Sequence, residues 1–147
     1  MSLILQLVIG GLMIVLTVII HAAALDFIIR HATSGEKMLR RATGVFWRPL
    51  MAAGVVLTAF LSHILQIWLW TLLYITLDCV PNSTLSDALY FSTVTYTTVG
   101  YGDITLKADY RMLSGIEAAN GILLIGWTTA YIFEVISQLY RRETKSL

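Results

Sequence analysis

Residues 85–103 read LSDALYFSTVTYTTVGYGD. The stretch is too polar and too short to cross a membrane, yet it lies between long apolar runs on either side. Thr84 or Ser86 can cap a helix that carries Asp87 in its first turn. The pattern predicts a helix over 86–97, about 18 Å long at 1.5 Å per residue and so about half of a membrane core. Such a helix ends at mid-depth, and the chain must return to the side it came from. This is a re-entrant loop, and irregular backbone survives at that depth only where it is buried in protein or lines water.

The return stretch is Thr98, Val99, Gly100, Tyr101 and Gly102. A cation that sheds its water needs several oxygens in exchange, and backbone carbonyls supply them without adding net charge. Carbonyls all turned to one side of an extended chain require backbone angles of alternating hand. Left-handed values are cheap only for glycine, and Gly100 and Gly102 stand at alternate positions. Thr98 adds a hydroxyl oxygen. Val99 and Tyr101 then point the other way, and are expected to pack against the helix over 86–97. The partly negative C-terminal end of that helix, at Thr97, favours cations.

Working outward, the chain is a membrane protein by composition. Of its 147 residues, 57% are hydrophobic and 13% charged, against roughly a quarter charged in soluble domains. Ten Lys+Arg against nine Asp+Glu give +1, which excludes a nucleic-acid reading based on global charge. Three apolar runs are long enough to span: residues 3–25, 49–77 and 112–140. In the first, only Gln6, Thr17 and His21 are notably polar. A cleaved signal peptide is disfavoured, because no Lys or Arg precedes the run and it exceeds a usual signal core of about 7–15 residues. Arg30, Lys37, Arg40, Arg41 and Arg48 follow it, and Arg141, Arg142 and Lys145 follow the third run. By the positive-inside rule these are cytoplasmic, so the N-terminus and the loop at 78–111 lie outside. Residues 26–48 read as a basic cytoplasmic loop or, equally, a short amphipathic surface helix with Phe27, Ile28, Met38 and Leu39 toward lipid. Trp47 marks the inner edge of the second span, while Trp68, Trp70 and Tyr74 read as interfacial anchors at its outer end. Trp127 reads as a helix-packing residue. The lone Cys79 cannot close an intrachain disulfide, and a bridge between two subunits stays open.

With these residues in place, the sequence resembles the potassium channel pore family. The likeness runs through ALYFSTVTYTTVGYGD at 88–103, with the aromatic pair Tyr90 and Phe91, Thr97 and Thr98 before the valine, and Asp103 after the last glycine. It implies an all-α membrane protein: three transmembrane helices plus a re-entrant pore helix and selectivity filter, assembled as a homotetrameric pore in the lipid bilayer. Residues 1–25 would be an extra N-terminal transmembrane helix, packed on the perimeter of the second span or on a neighbouring subunit. Residues 49–140 would be the pore domain, with outer helix 49–78, pore helix 86–97, filter 98–102 and inner helix 110–140, followed by a cytoplasmic tail at 141–147. The implied activity is conduction of K+ ions coordinated by the carbonyls of Thr98, Val99, Gly100 and Tyr101 and the Thr98 hydroxyl, with no organic cofactor. Thr97, Gly102, Asp103, Tyr90, Phe91 and Glu117 would support the filter. The family's acidic pore-helix partner of the post-filter aspartate is Val94 here, which leaves Asp103 without it.

Allowing one residue missing before Arg111, Gly121 falls at the family's hinge glycine; close helix packing is the equal alternative. Helical spacing from Gly121 puts Ile122, Ile125, Thr129 and Phe133 on one stripe, expected to face the cavity, with Phe133 near the gate. Glu117, too costly to leave in lipid, is expected behind the filter, bonded to the pore helix or its loop. His63 and Gln66 read as pH-sensing or, more simply, as residues bonding across to Thr17 or Gln6. Glu134 at the inner mouth either concentrates cations or forms a helix-end ion pair. The sequence shows no arginine repeat inside a span and no enzyme motif, and no cytoplasmic ligand-binding domain is expected after Tyr140. Gating is therefore expected from tension, pH, lipid, the ion itself or a separate regulatory subunit. The setting expected is a prokaryotic plasma membrane. The rivals are a poorly selective cation channel and a non-conducting regulatory subunit, with an enzyme a distant third.

Overall fold

The computed structural model describes residues 1–81 and 84–144. Four α-helices follow one another: α1 (Leu3–Thr43), α2 (Trp47–Thr76), α3 (Leu85–Tyr96) and α4 (Arg111–Thr144), with short 3-10 turns at Gly44–Phe46 and Ala108–Tyr110. No strand occurs among the described residues. Three helices carry segments long and apolar enough to cross a membrane, Leu3–Arg30, Arg41–Thr76 and Ala108–Leu139. The short α3 sits between the second and the third, so the all-α architecture follows the sequence reading. α2 and α3 lie within two residues of the expected limits, and α4 runs to Thr144. Of the tail expected over 141–147, residues 145–147 lie outside the described residues.

The N-terminal boundary differs. Hydropathy ends at Leu25, but the helix does not: α1 continues to Thr43, 41 residues in all, about 60 Å and twice a membrane core. The basic loop expected over 26–48 is thus mostly helix, and a longer one than the surface helix weighed against it. Residues 26–43 contain no proline and one glycine, Gly35, whose cost of about 1 kcal/mol relative to alanine a long helix absorbs. Asp26 and Arg30 pair one turn apart at 2.7 Å. The turn comes at Gly44, whose φ of +56° closes a helix in the way left-handed glycines do. α2 then starts at Trp47, two residues before Pro49, because a first helical turn needs no N–H from the proline.

α1 packs on both α2 and α4 of its own chain, not on α2 alone. Along α4 the contacts advance in parallel. Met112 N–H donates to Gln6 Oε1 at 3.1 Å. Gly10 abuts Ile116. Asn120 Nδ2 donates to Thr17 Oγ1 at 2.8 Å, and the Tyr131 hydroxyl to the Leu25 carbonyl at 3.0 Å. The polar residues of the first run, Gln6, Thr17 and His21, are all buried. Separations of eleven and four put them on one face, and that face meets α4. Ile28, expected toward lipid, is buried with Leu25, Val55 and Ala59.

The main core gathers Trp70, Tyr74, Cys79, Val80, Ala88, Phe91, Tyr96, Leu106 and Leu113. Trp70 and Tyr74 are each 0% exposed. They are not interfacial anchors but the floor on which α3 rests, while Trp68, one helical step away, stays partly exposed. Both faces of α2 near its end are aromatic, so composition alone does not separate the buried face from the lipid face.

Candidate functional site

α3 begins as its sequence dictates. Thr84 is the cap, its Oγ1 accepting from Asp87 N–H at 3.1 Å. The helix closes through Thr97 N–H to the Thr93 carbonyl at 3.1 Å and Thr98 N–H to the Thr95 carbonyl at 2.9 Å. One more bond folds the chain back, from Gly100 N–H to the Val94 carbonyl at 3.0 Å. Over the return stretch the sign of φ alternates: Thr98 is at +61°, Gly100 at +53° and Gly102 at +78°, and Val99 and Tyr101 are not positive. A Cβ at Gly100 or Gly102 would meet nothing within 4 Å. The demand at these glycines is therefore on backbone angle, not on space. Thr98 is the position the glycine rule misses. It takes the same hand at a cost of about 1–2 kcal/mol for a residue with a Cβ.

Val99 and Tyr101, expected to pack on α3, are 52% and 72% exposed in the single chain. The aromatic pair divides its work. Phe91 is buried edge-on against Tyr74, ring centres 5.3 Å apart. The Tyr90 hydroxyl donates to Asp103 Oδ2 at 2.8 Å, so the aspartate facing Val94 in the family pattern has a tyrosine partner instead. The segment after Gly102 is tied back to the end of α2. Lys107 Nζ meets Asp78 Oδ2 at 2.9 Å, and Lys107 N–H donates to the Cys79 carbonyl at 2.9 Å. Cys79 is a buried free thiol, and burial pushes its pKa up to about 11. This burial does not suit a bridge between subunits.

Behind α3 stands Glu117, 0% exposed. Its Oε2 accepts from the Tyr74 hydroxyl and its Oε1 from the Ser92 hydroxyl, both at 2.5 Å. Ser92 also lies 3.1 Å from the Ile67 carbonyl. One carboxyl group thereby ties α4, α2 and α3 together. Gly121 is buried, and a Cβ there would collide with the Tyr96 carbonyl oxygen. The glycine permits contact between α4 and the last turn of α3, which is the packing alternative; it does not sit on the exposed stripe. Ile122 and Phe133 are exposed, Phe133 at 71%. Ile125 and Thr129 line an apolar groove of about 550 Å³ with Phe60, Trp68, Thr93 and Thr97. His63 and Gln66 do bond to neighbouring helices, with His21, Tyr96 and Thr128 as partners rather than Thr17 or Gln6.

Two long helices flanking a short helix and a return stretch of alternating hand define a pore-loop membrane protein. The family model described as "Ion channel" matches residues 55–138, more than half of the chain. The chain belongs to this ion channel family, of the two-membrane-helix pore-loop type, and α1 lies outside the matched region. Comparison with curated proteins and with solved structures found no match.

Proposed function

We propose that the chain is one subunit of a homotetrameric, potassium-selective channel, in which residues 98–102 of four copies form the selectivity filter. The alternating hand of Thr98, Gly100 and Gly102 carries this reading. Peptides of alternating hand turn successive carbonyls to one side, and four such stretches around an axis offer stacked rings of oxygens in place of an ion's water. The Thr98 hydroxyl supplies the innermost ring. Repulsion between neighbouring ions offsets tight binding, so transport stays fast.

Three features support an assembly of several copies. Val99 and Tyr101 are exposed in one chain, the groove beside α3 is open, and a closed cyclic arrangement satisfies all copies alike. In this reading Ile122, Ile125, Thr129 and Phe133 line the cavity, with Phe133 as an apolar gate. The basic ends of α1 and α4 are cytoplasmic, in a prokaryotic plasma membrane.

The test is ion flux from liposomes holding the purified protein, under potassium and sodium gradients. Potassium flux well above sodium flux is expected, and Gly100→Ala should abolish the selective component by penalising φ of +53°. Equal fluxes would point to the poorly selective cation channel. No flux at all would point to the regulatory subunit.

A further inference from the structure

Five side chains from all four helices meet behind the last turn of α3. The Tyr96 hydroxyl lies 2.6 Å from Gln66 Oε1, and Gln66 Nε2 lies 3.2 Å from His21 Nδ1. His21 Nε2 is 3.1 Å from Thr128 Oγ1, and Thr128 Oγ1 is 2.8 Å from His63 Nε2. His63 Nδ1 is 2.9 Å from the Tyr96 hydroxyl, which closes a ring.

One self-consistent direction follows from the donors and acceptors present. A separation of 2.6 Å suits O–H···O and is short for N–H···O, so Tyr96 donates to the Gln66 carbonyl oxygen. The Gln66 amide nitrogen is a donor only, so His21 Nδ1 accepts and the His21 proton sits on Nε2, donating to Thr128. The Thr128 hydroxyl donates to His63 Nε2, and His63 Nδ1–H donates to Tyr96. Every member gives one hydrogen bond and takes one, with both histidines neutral and in opposite tautomers. Of the other bonds nearby, one leaves this count intact and one competes with it. Ser62, 3.4 Å from His21 Nδ1, gives its proton to the Ala59 carbonyl at 2.8 Å. The Leu124 carbonyl, 3.0 Å from Thr128 Oγ1, is the helix's own alternative acceptor.

Tyr96 is the last residue of α3, buried, with its carbonyl against Gly121. Two residues on, Thr98 opens the return stretch, so the ring sets where that stretch begins. We propose that His21 is a positioning residue for the filter, closing through Gln66, Tyr96, His63 and Thr128 a hydrogen-bonded ring that holds the end of α3. The helix outside the family-matched region is thereby part of the filter's support. This inference rests on the reading of residues 98–102 as the filter.

Solid-state NMR of the nitrogen-15-labelled full chain in bilayers at neutral pH tests the ring without any variant. His21 should carry its proton on Nε2 and His63 on Nδ1. The same tautomer at both, or an imidazolium at either, overturns the ring. The pair Thr128→Val and Thr128→Ser tests positioning. The Val variant should shift the Thr98, Val99 and Gly100 resonances and lower the potassium-to-sodium flux ratio about threefold to tenfold, the worth of one buried hydrogen bond. The Ser variant should leave both near wild type. His21→Ala should move the same resonances, and Leu12→Ala, on the exposed face of α1, should not. Val and Ser variants with identical filter resonances overturn the positioning role. A wild-type protein that conducts nothing would sink the channel reading, while tautomers and resonances still judge the ring.

Discussion

Behind α3, polar groups find partners inside one chain: Ser92 and Tyr74 on Glu117, and Tyr96 on Gln66 and His63. In front of it, residues 97–103 hold to the chain by a few backbone bonds, the Thr97 hydroxyl on the Thr93 carbonyl and the Tyr90–Asp103 contact, and their side chains stand exposed. The rear is built like a protein core, in which an unpaired buried group costs heavily. The front is built like half of an interface. The proposed tetramer would require this division, since each subunit would hold its loop rigid from behind while leaving the other side for its copies.

The comparison can be broken most sharply at the rear. Glu117→Ala orphans the buried Tyr74 hydroxyl and leaves a cavity, while Ser92 keeps the Ile67 carbonyl as acceptor, so a loss of roughly 2–4 kcal/mol in unfolding free energy is expected from denaturation of the purified protein. Glu117→Gln, which fills the space and keeps an acceptor for Tyr74, should lose less than half of that. A Glu117→Ala midpoint equal to wild type would show that the rear is not the rigid side. Next comes Gly121→Ala. Its Cβ collides with the Tyr96 carbonyl, and an overpacked contact costs about 1–3 kcal/mol; thermal unfolding in micelles reads it. Were Gly121 a free hinge instead, the alanine would leave the unfolding temperature unchanged and alter only gating.

At the front the effects are smaller. Tyr90→Phe removes one hydrogen bond at an exposed site, about 0.5–1.5 kcal/mol, and should appear as faster amide exchange at Asp103 and Ile104 with global stability kept. Smallest is Lys107→Met, which removes an exposed ion pair with Asp78 worth about 0–1 kcal/mol. It should show only at low salt, and a large loss there would mean the front is more self-contained than its exposure implies.

The sequence makes the loop legible because its demands are local. Capping by Thr84, the length of α3 and the spaced glycines follow from short-range sterics. Thr98 escapes because its left-handed angle is imposed by the turn out of α3 and not by its own preference. Glu117 declares its burial through its cost in lipid, and the structure puts it against Ser92 of α3. The identity of tertiary partners is not local. Trp70 and Tyr74 look like anchors until α3 covers them, and His63 and Gln66 point toward α1 without revealing that His21 is the residue they meet. The length of α1 was hidden for another reason: hydropathy reports where lipid ends, whereas helix propensity in residues 26–43 continues past that limit.

The polar seam between α1 and α4 bears on how far this pore is a separable module. Trimming the chain to the family-matched residues would strip Asn120 of Thr17 and turn its amide toward hydrocarbon, while Thr128 would lose His21 but keep His63 and the Leu124 carbonyl. A two-helix excerpt would therefore need an apolar replacement at Asn120 before it could stand alone, and a graft of α1 onto another pore would need the matching polar residues installed on its host.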